Sequence, residues 1–164
     1  MPRSILLFAS LFCVALASGG AFVVWLVYDP ASAAGSFWVT LMQHAIQVMR
    51  PLAIALNLGL LLTIVSAVLS RRDGRRFYLL VGASLCLLAA VAVTVVGNWP
   101  INGQISTWNP AAPPPNWAQL RDQWWLYHRA RAALLMVGLS CALAATLLRP
   151  DSATPASAAI RPSA

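Results

Sequence analysis

The chain has 164 residues, enough for one domain. It is 60% hydrophobic and 9% charged, with a mean hydropathy of +0.73. Soluble domains carry about a quarter charged residues, so a water-soluble fold is excluded and an integral membrane protein is expected. The net charge of +7 comes from arginine alone, since lysine and glutamate are both missing. A pI near 10.7 would suit a nucleic-acid binder. The arginines lie beside apolar runs, however, as membrane topology requires, and no nucleic acid is expected as a partner.

The first apolar run covers residues 5–28, long enough to span a bilayer with some tilt. Arg3, an apolar stretch and Ala15-Leu16-Ala17 before Ser18 give its start a signal-peptide character. Cleavage after Ala17 would strand residues 21–28 as a short apolar stub, so an uncleaved span ended by Asp29-Pro30 is expected. Residues 36–69 are apolar for longer than one span needs, and Arg50-Pro51 divides them. Pro51 fits the first turn of a span over 52–69. Residues 37–50, which carry Gln43, His44 and Gln47, read as an interfacial or kinked helix. A basic turn, Arg71-Arg72-Asp73-Gly74-Arg75-Arg76, leads into a third span over 77–97.

Residues 98–119 hold five prolines (Pro100, Pro110, Pro113, Pro114 and Pro115) and read as a loop, extended where prolines adjoin. The last helix starts near Trp117–Leu120, spans over 125–148 and is stopped by Arg149-Pro150. An Ala/Ser/Pro tail, 149–164, is expected to be disordered. The fold expected for residues 1–148 is an all-α, antiparallel four-helix membrane bundle. Gly19, Gly20, Gly59, Gly82, Gly138 and Ser140 would let its helices approach closely. The 71–76 cluster, with Arg3 and Arg149, places both termini in the cytoplasm of a bacterial inner-membrane protein, against the weaker pull of Arg50, Arg121, Arg129 and Arg131. So small a bundle is also a candidate for pairing into a homo-oligomer.

Cys13, Cys86 and Cys141 lie in separate apolar runs without a CxxC pattern and read as small buried hydrophobes. The chemistry concentrates elsewhere. Trp124, His128 and Arg131 sit at i, i+4 and i+7 and share one helix face at the start of the last span. His128 is either a general base or an interfacial histidine hydrogen-bonded within the bundle. Arg131, one turn deeper, needs an acceptor. Asp122 is the only acid near it in sequence, so an anionic ligand is a reasonable partner. Arg129 points to another face and snorkels. Asn98 and Asn102 flank Pro100, and either cap exposed carbonyls or hold a carbonyl or enolate. Trp99, Trp108, Trp117, Trp124 and Trp125 form an aromatic belt, from which one ring, Trp124 first, would line a flat pocket. His44 could meet His128 across the bundle and hold a b-type haem. No acid stands at ligand spacing with either histidine for a non-haem metal.

The order Asn98-x-Pro100-x-Asn102, a downstream tryptophan, then Trp124-xxx-His128-xx-Arg131 entering the last span resembles the anthrone oxygenase-like membrane family. The resemblance runs from the first span through Leu148. It implies a four-span layout and oxidation of an anthrone-like, lipophilic aromatic to a quinone with O2, with no cofactor. It places the site at Asn98, Asn102, Trp124, His128 and Arg131. His128, Arg131 and Asn102 would be catalytic, and Asn98, Trp124, Trp108 and His44 would line the substrate. The Pro113-Pro114-Pro115 run departs from the family pattern. Two other classes compete: a small haem-binding electron-transfer subunit, and a non-enzymatic membrane protein that binds a lipid or partner.

Overall fold

The computed structural model describes residues 2–27 and 33–148. Asp29-Pro30, Arg149-Pro150 and the tail lie outside the described residues. Among the described residues six α-helices follow in chain order: α1 (Pro2–Val27), α2 (Gly35–Val48), α3 (Arg50–Leu69), α4 (Gly74–Val93), α5 (Trp99–Ile105) and α6 (Trp117–Leu147). The long helices close a ring in which α1 packs on α3 and α6, and α4 packs on α3 and α6. Four helical stretches, 3–26, 50–69, 74–105 and 117–147, are long and apolar enough to cross a bilayer, and the chain is an integral membrane protein. The outward faces carry residues such as Ile54, Leu61, Val68, Leu85 and Leu88, which lipid tails can solvate.

The helix boundaries follow from local chemistry. Met49 lies between α2 and α3, and Pro51 sits in the first turn of α3, where its missing N–H costs nothing. The α3–α4 turn is closed by the Asp73 N–H, which donates to the Ser70 carbonyl at 2.8 Å. Gly74, at φ 38°, is the one described residue with positive φ, a conformation that favours glycine. Here the basic run becomes a reversal between two spans.

The third stretch does not end at Gly97. A π-helical turn, Thr94–Asn98, follows α4 and leads directly into α5, so the helical stretch reaches Ile105. Pro100 accounts for the widening. It lacks the N–H that would bond the Val96 carbonyl, and its ring crowds that carbonyl. The Trp99 N–H accordingly reaches back five residues to the Thr94 carbonyl. The connection to α6 shrinks to residues 106–116, where the Asn109 side chain accepts from the Ala111 N–H at 3.0 Å in an Asx turn. Gln43 of α2 donates to the Ile105 and Trp108 carbonyls, each at 2.9 Å, and so caps the end of α5.

Three apolar clusters fill the bundle. Leu7, Ala67, Leu80 and Ala145 pack the end near the basic turn. Val14, Leu56, Leu60, Leu87, Ala132 and Leu135 fill the middle. Trp38, Val39, Met42, Ile101, Ile105 and Trp124 form the aromatic end, with Trp108 and Trp117 packed against them. Close approach is concentrated at particular small residues. A Cβ on Gly59 would stand 3.1 Å from the Val14 backbone nitrogen, and one on Gly138 would stand 3.3 Å from the Cys86 Cβ. Gly19 and Gly82 have nothing within 4 Å of such an atom, and Ser140 is exposed, so these three do not serve the packing expected of them. Ser10 and Thr63 hydrogen-bond across α1 and α3 at 2.7 Å, and Ser18 donates to the Leu135 carbonyl at 3.3 Å. The three cysteines are half-buried and unpaired.

Candidate functional site

The site is built on the first half of α6, whose α-helical period turns Trp124, His128, Ala132 and Leu135 to the bundle interior. His128 is fully buried. Its Nε2 lies 3.1 Å from the Ala21 carbonyl oxygen of α1, and its Nδ1 lies 3.0 Å from Arg131 Nη2. These partners fix the tautomer. A carbonyl can only accept, so Nε2 carries the hydrogen; a guanidinium can only donate, so Nδ1 presents its lone pair to Arg131. The rings of Trp124 and Trp125 lie parallel to the imidazole, with centroids 5.1 Å and 5.4 Å away.

Asn98 and Asn102 act on Trp124. The Trp124 indole Nε1 donates to Asn102 Oδ1 at 2.9 Å, and Asn98 Nδ2 donates to the Trp124 carbonyl at 3.2 Å. Asn98 is fully buried on the π-helical turn and makes no side-chain cap. Of the two readings of Asn98, the capping of its own helix end is not what it does here: its amide crosses to α6. Gly97 lets the two stretches meet there, since a Cβ would stand 2.5 Å from the Tyr127 ring. The Asn98 Oδ1 and Arg131 Nε are buried without a hydrogen-bond partner.

A cavity of about 110 Å³ adjoins the His128–Arg131 pair. Ala17, Gly20 and Ala21 of α1, Leu52, Ala53 and Leu56 of α3, Thr94 and Leu135 supply its walls. His128 and Arg131 are the two ionisable groups of the lining; Thr94 adds a hydroxyl that donates to the Ala90 carbonyl at 2.8 Å, and the other side chains are apolar. Met49, at the α2–α3 junction, and Ala53 of α3 are the exposed residues of its lining. Among the described residues the carboxylates are Asp73, in the α3–α4 turn, and Asp122, ion-paired with Arg121 at 2.8 Å. Arg131 draws on neither.

The structure thus joins His128, Arg131, Trp124, Asn98 and Asn102 in one connected set, with the first two on the cavity wall. Trp108 sits instead in the aromatic end, its ring 6.2 Å from that of Trp38, and Gln43 holds its carbonyl. His44 is exposed on α2 and does not line the cavity. A bis-histidine haem seat at His44 and His128 is not assembled, because both ring nitrogens of His128 face partners within the chain. Among the described residues no three His, Cys, Asp or Glu side chains gather as a metal site. Arg129 is exposed, as expected of a snorkelling side chain.

Sequence reasoning missed Trp125 as a ring beside His128, Thr94 on the cavity wall and the Ala21 carbonyl. The Trp125 contact follows from an i, i+3 spacing and was open to discovery. Thr94 was hidden by the π-helical turn. The carbonyl carries no side-chain signal at all.

No curated protein and no solved structure matches the chain. A family model described as anthrone oxygenase matches residues 38–141. That interval begins in α2, takes in both halves of the Asn/Trp/His/Arg set and ends within α6, leaving α1 outside it. Covering well over half of the sequence, the match makes the chain a member of the anthrone oxygenase family.

Proposed function

We propose that this protein oxidises a lipophilic, anthrone-like aromatic to a quinone with O2, with His128 as the base and Arg131 as the oxyanion partner. The observation that carries this reading is a buried imidazole hydrogen-bonded to a half-buried guanidinium on the wall of a largely apolar cavity. An ionisable pair at that depth is costly and marks a functional site. Family membership supplies the reaction class.

The chemistry balances without a further reagent. An anthrone methylene is acidic because its carbanion is an extended aromatic phenolate. His128 takes that proton, and Arg131 stabilises the oxygen on which the charge settles, in a site of low dielectric. The anion passes an electron to O2, and the resulting pair combines to form a carbon–peroxide bond. The imidazolium returns its proton to the peroxide, which loses water to leave the second carbonyl. The net change is anthrone plus O2 to anthraquinone plus water.

The site's size limits how the substrate sits. An engineered cavity of about 150 Å³ holds one benzene, so a cavity of about 110 Å³ takes the reacting edge rather than three fused rings. The remaining rings lie beyond the exposed residues of its lining, Met49 and Ala53, which a membrane-dissolved molecule reaches from the side. In this reading the basic turn at 71–76 faces the cytoplasm and the aromatic end the opposite side.

Oxygen uptake by the purified protein in detergent, given an anthrone, tests the reading. Uptake above the autoxidation rate, with quinone formed and both lost in His128→Ala, is expected. Autoxidation-level rates for the unmodified protein would overturn it.

A further inference from the structure

We infer that the Arg131–His128 hydrogen bond is a latch that a ligand oxygen must open, so that the site selects aryl ketones and phenols over hydrocarbons of the same shape. The inference rests on the oxygenase reading of this cavity and adds the order of events by which a ligand oxygen exposes the base.

The geometry leaves His128 no free lone pair. Nε2 spends its hydrogen on the Ala21 carbonyl at 3.1 Å, and Nδ1 accepts from Arg131 at 3.0 Å. In this tautomer Nδ1 holds the only basic lone pair, so the Arg131 bond must open before the imidazole can take a proton from carbon. The Ala21 carbonyl belongs to the backbone of α1 and is fixed by that helix. Arg131 is the movable partner: its side chain borders the cavity, its Nε is buried without an acceptor, and neither described carboxylate holds it.

An incoming ketone or phenolate oxygen offers the guanidinium a charge-assisted bond better than the one it makes to a neutral nitrogen. Transfer of Arg131 to that oxygen bares Nδ1 beside the ligand. The base is therefore exposed only when a group able to carry the developing oxyanion has already been engaged. A planar hydrocarbon can enter the apolar space but has nothing to draw Arg131 away. Its binding leaves the latch shut.

The chain has two histidines, so a His44→Gln background leaves one imidazole to observe by 15N NMR in detergent. The probes are 9,10-anthraquinone and anthracene, which share three flat fused rings and differ in their oxygens. Neither probe requires turnover. The latch predicts that anthraquinone shifts the His128 Nδ1 resonance to the position it holds in ligand-free Arg131→Leu, and that anthracene does not. Affinity for anthraquinone, read by tryptophan quenching corrected for micelle partitioning, should fall at least tenfold in Arg131→Leu while that for anthracene stays unchanged. An Nδ1 resonance unmoved by bound anthraquinone, equal affinities for the two probes, or no anthraquinone binding would each overturn the inference. If Arg131→Leu does not fold, the resonance shift in the His44→Gln protein decides alone. A moving resonance without oxygen uptake would instead count against the oxygenase reading and leave the latch standing.

Discussion

The Asn102–Trp124 bond can be tested as a unit, because the structure states what each partner loses. Trp124 is 6% exposed and its indole N–H reaches Asn102 Oδ1 at 2.9 Å. Asn102→Ala strands that donor where water has little access, and an orphaned buried donor costs about 1–3 kcal/mol. Hydrogen bonds between membrane helices measure lower, about 0.6 kcal/mol on average and about 1.7 at most, because the unfolded chain in the membrane also finds partners. Asn102 is only half-buried, near the aromatic end of the bundle, which argues for the middle of this range. Asn102→Ala should therefore destabilise by about 1 kcal/mol. Trp124→Phe removes the donor, and in that background Asn102→Ala should cost almost nothing. The four proteins of this cycle can be compared by reversible unfolding in mixed micelles, followed by circular dichroism. A coupling energy indistinguishable from zero would refute the bond. Turnover then separates two roles for Asn102. If it acts through Trp124, Asn102→Ala slows oxygen uptake in the natural background and has no added effect in Trp124→Phe. An equal loss in both would place Asn102 on the substrate directly.

Three further perturbations follow from the packing. Gly59→Val places a branched side chain where even a Cβ lies 3.1 Å from the Val14 backbone, and should lower stability by about 1–3 kcal/mol in the same unfolding measurement. Gly19→Ala meets nothing within 4 Å and gains helix propensity worth up to about 1 kcal/mol, so its midpoint should hold or rise. Gln43→Leu frees the two carbonyls at the end of α5, and should raise hydrogen exchange at residues 99–108 while leaving the α3–α4 turn unchanged.

The four spans were legible because each stretch is long, apolar and punctuated by residues with plain chemistry: Arg50-Pro51, the 71–76 arginine turn and Trp117 at the head of α6. The shared face of Trp124 and His128 was legible for a different reason. It depends on a 3.6-residue period alone, which a straight helix respects. The end of the third span was not. Pro100 signals a break, and in the absence of partners the sequence suggests a loop from Asn98. The structure instead relieves the proline with a π-helical turn and continues, because Gln43 of α2 caps the extension from outside. The roles of the two asparagines turn on that detail. Read as loop residues they are free to meet a ligand. Carried on a continuing helix they meet Trp124.

The part of the site least visible in sequence is what α1 contributes. Its carbonyl at Ala21 determines which nitrogen of His128 bears the hydrogen, and every residue type has a carbonyl. What this position asks of α1 is therefore size rather than identity. Ala17, Gly20 and Ala21 are small enough for the helix to bring its backbone within hydrogen-bonding distance of α6 and still leave a cavity beside it. At Gly20 an added Cβ would lie 2.6 Å from Leu52 Cδ1, so a larger residue there would drive Leu52 across the cavity wall. The match to the anthrone oxygenase family begins only at residue 38, after this helix. The His128–Arg131 pair lies inside the matched interval, while the helix that fixes the imidazole tautomer and walls the cavity lies outside it. A segment that meets the imidazole through its backbone alone can vary in sequence and still hold it in the same state.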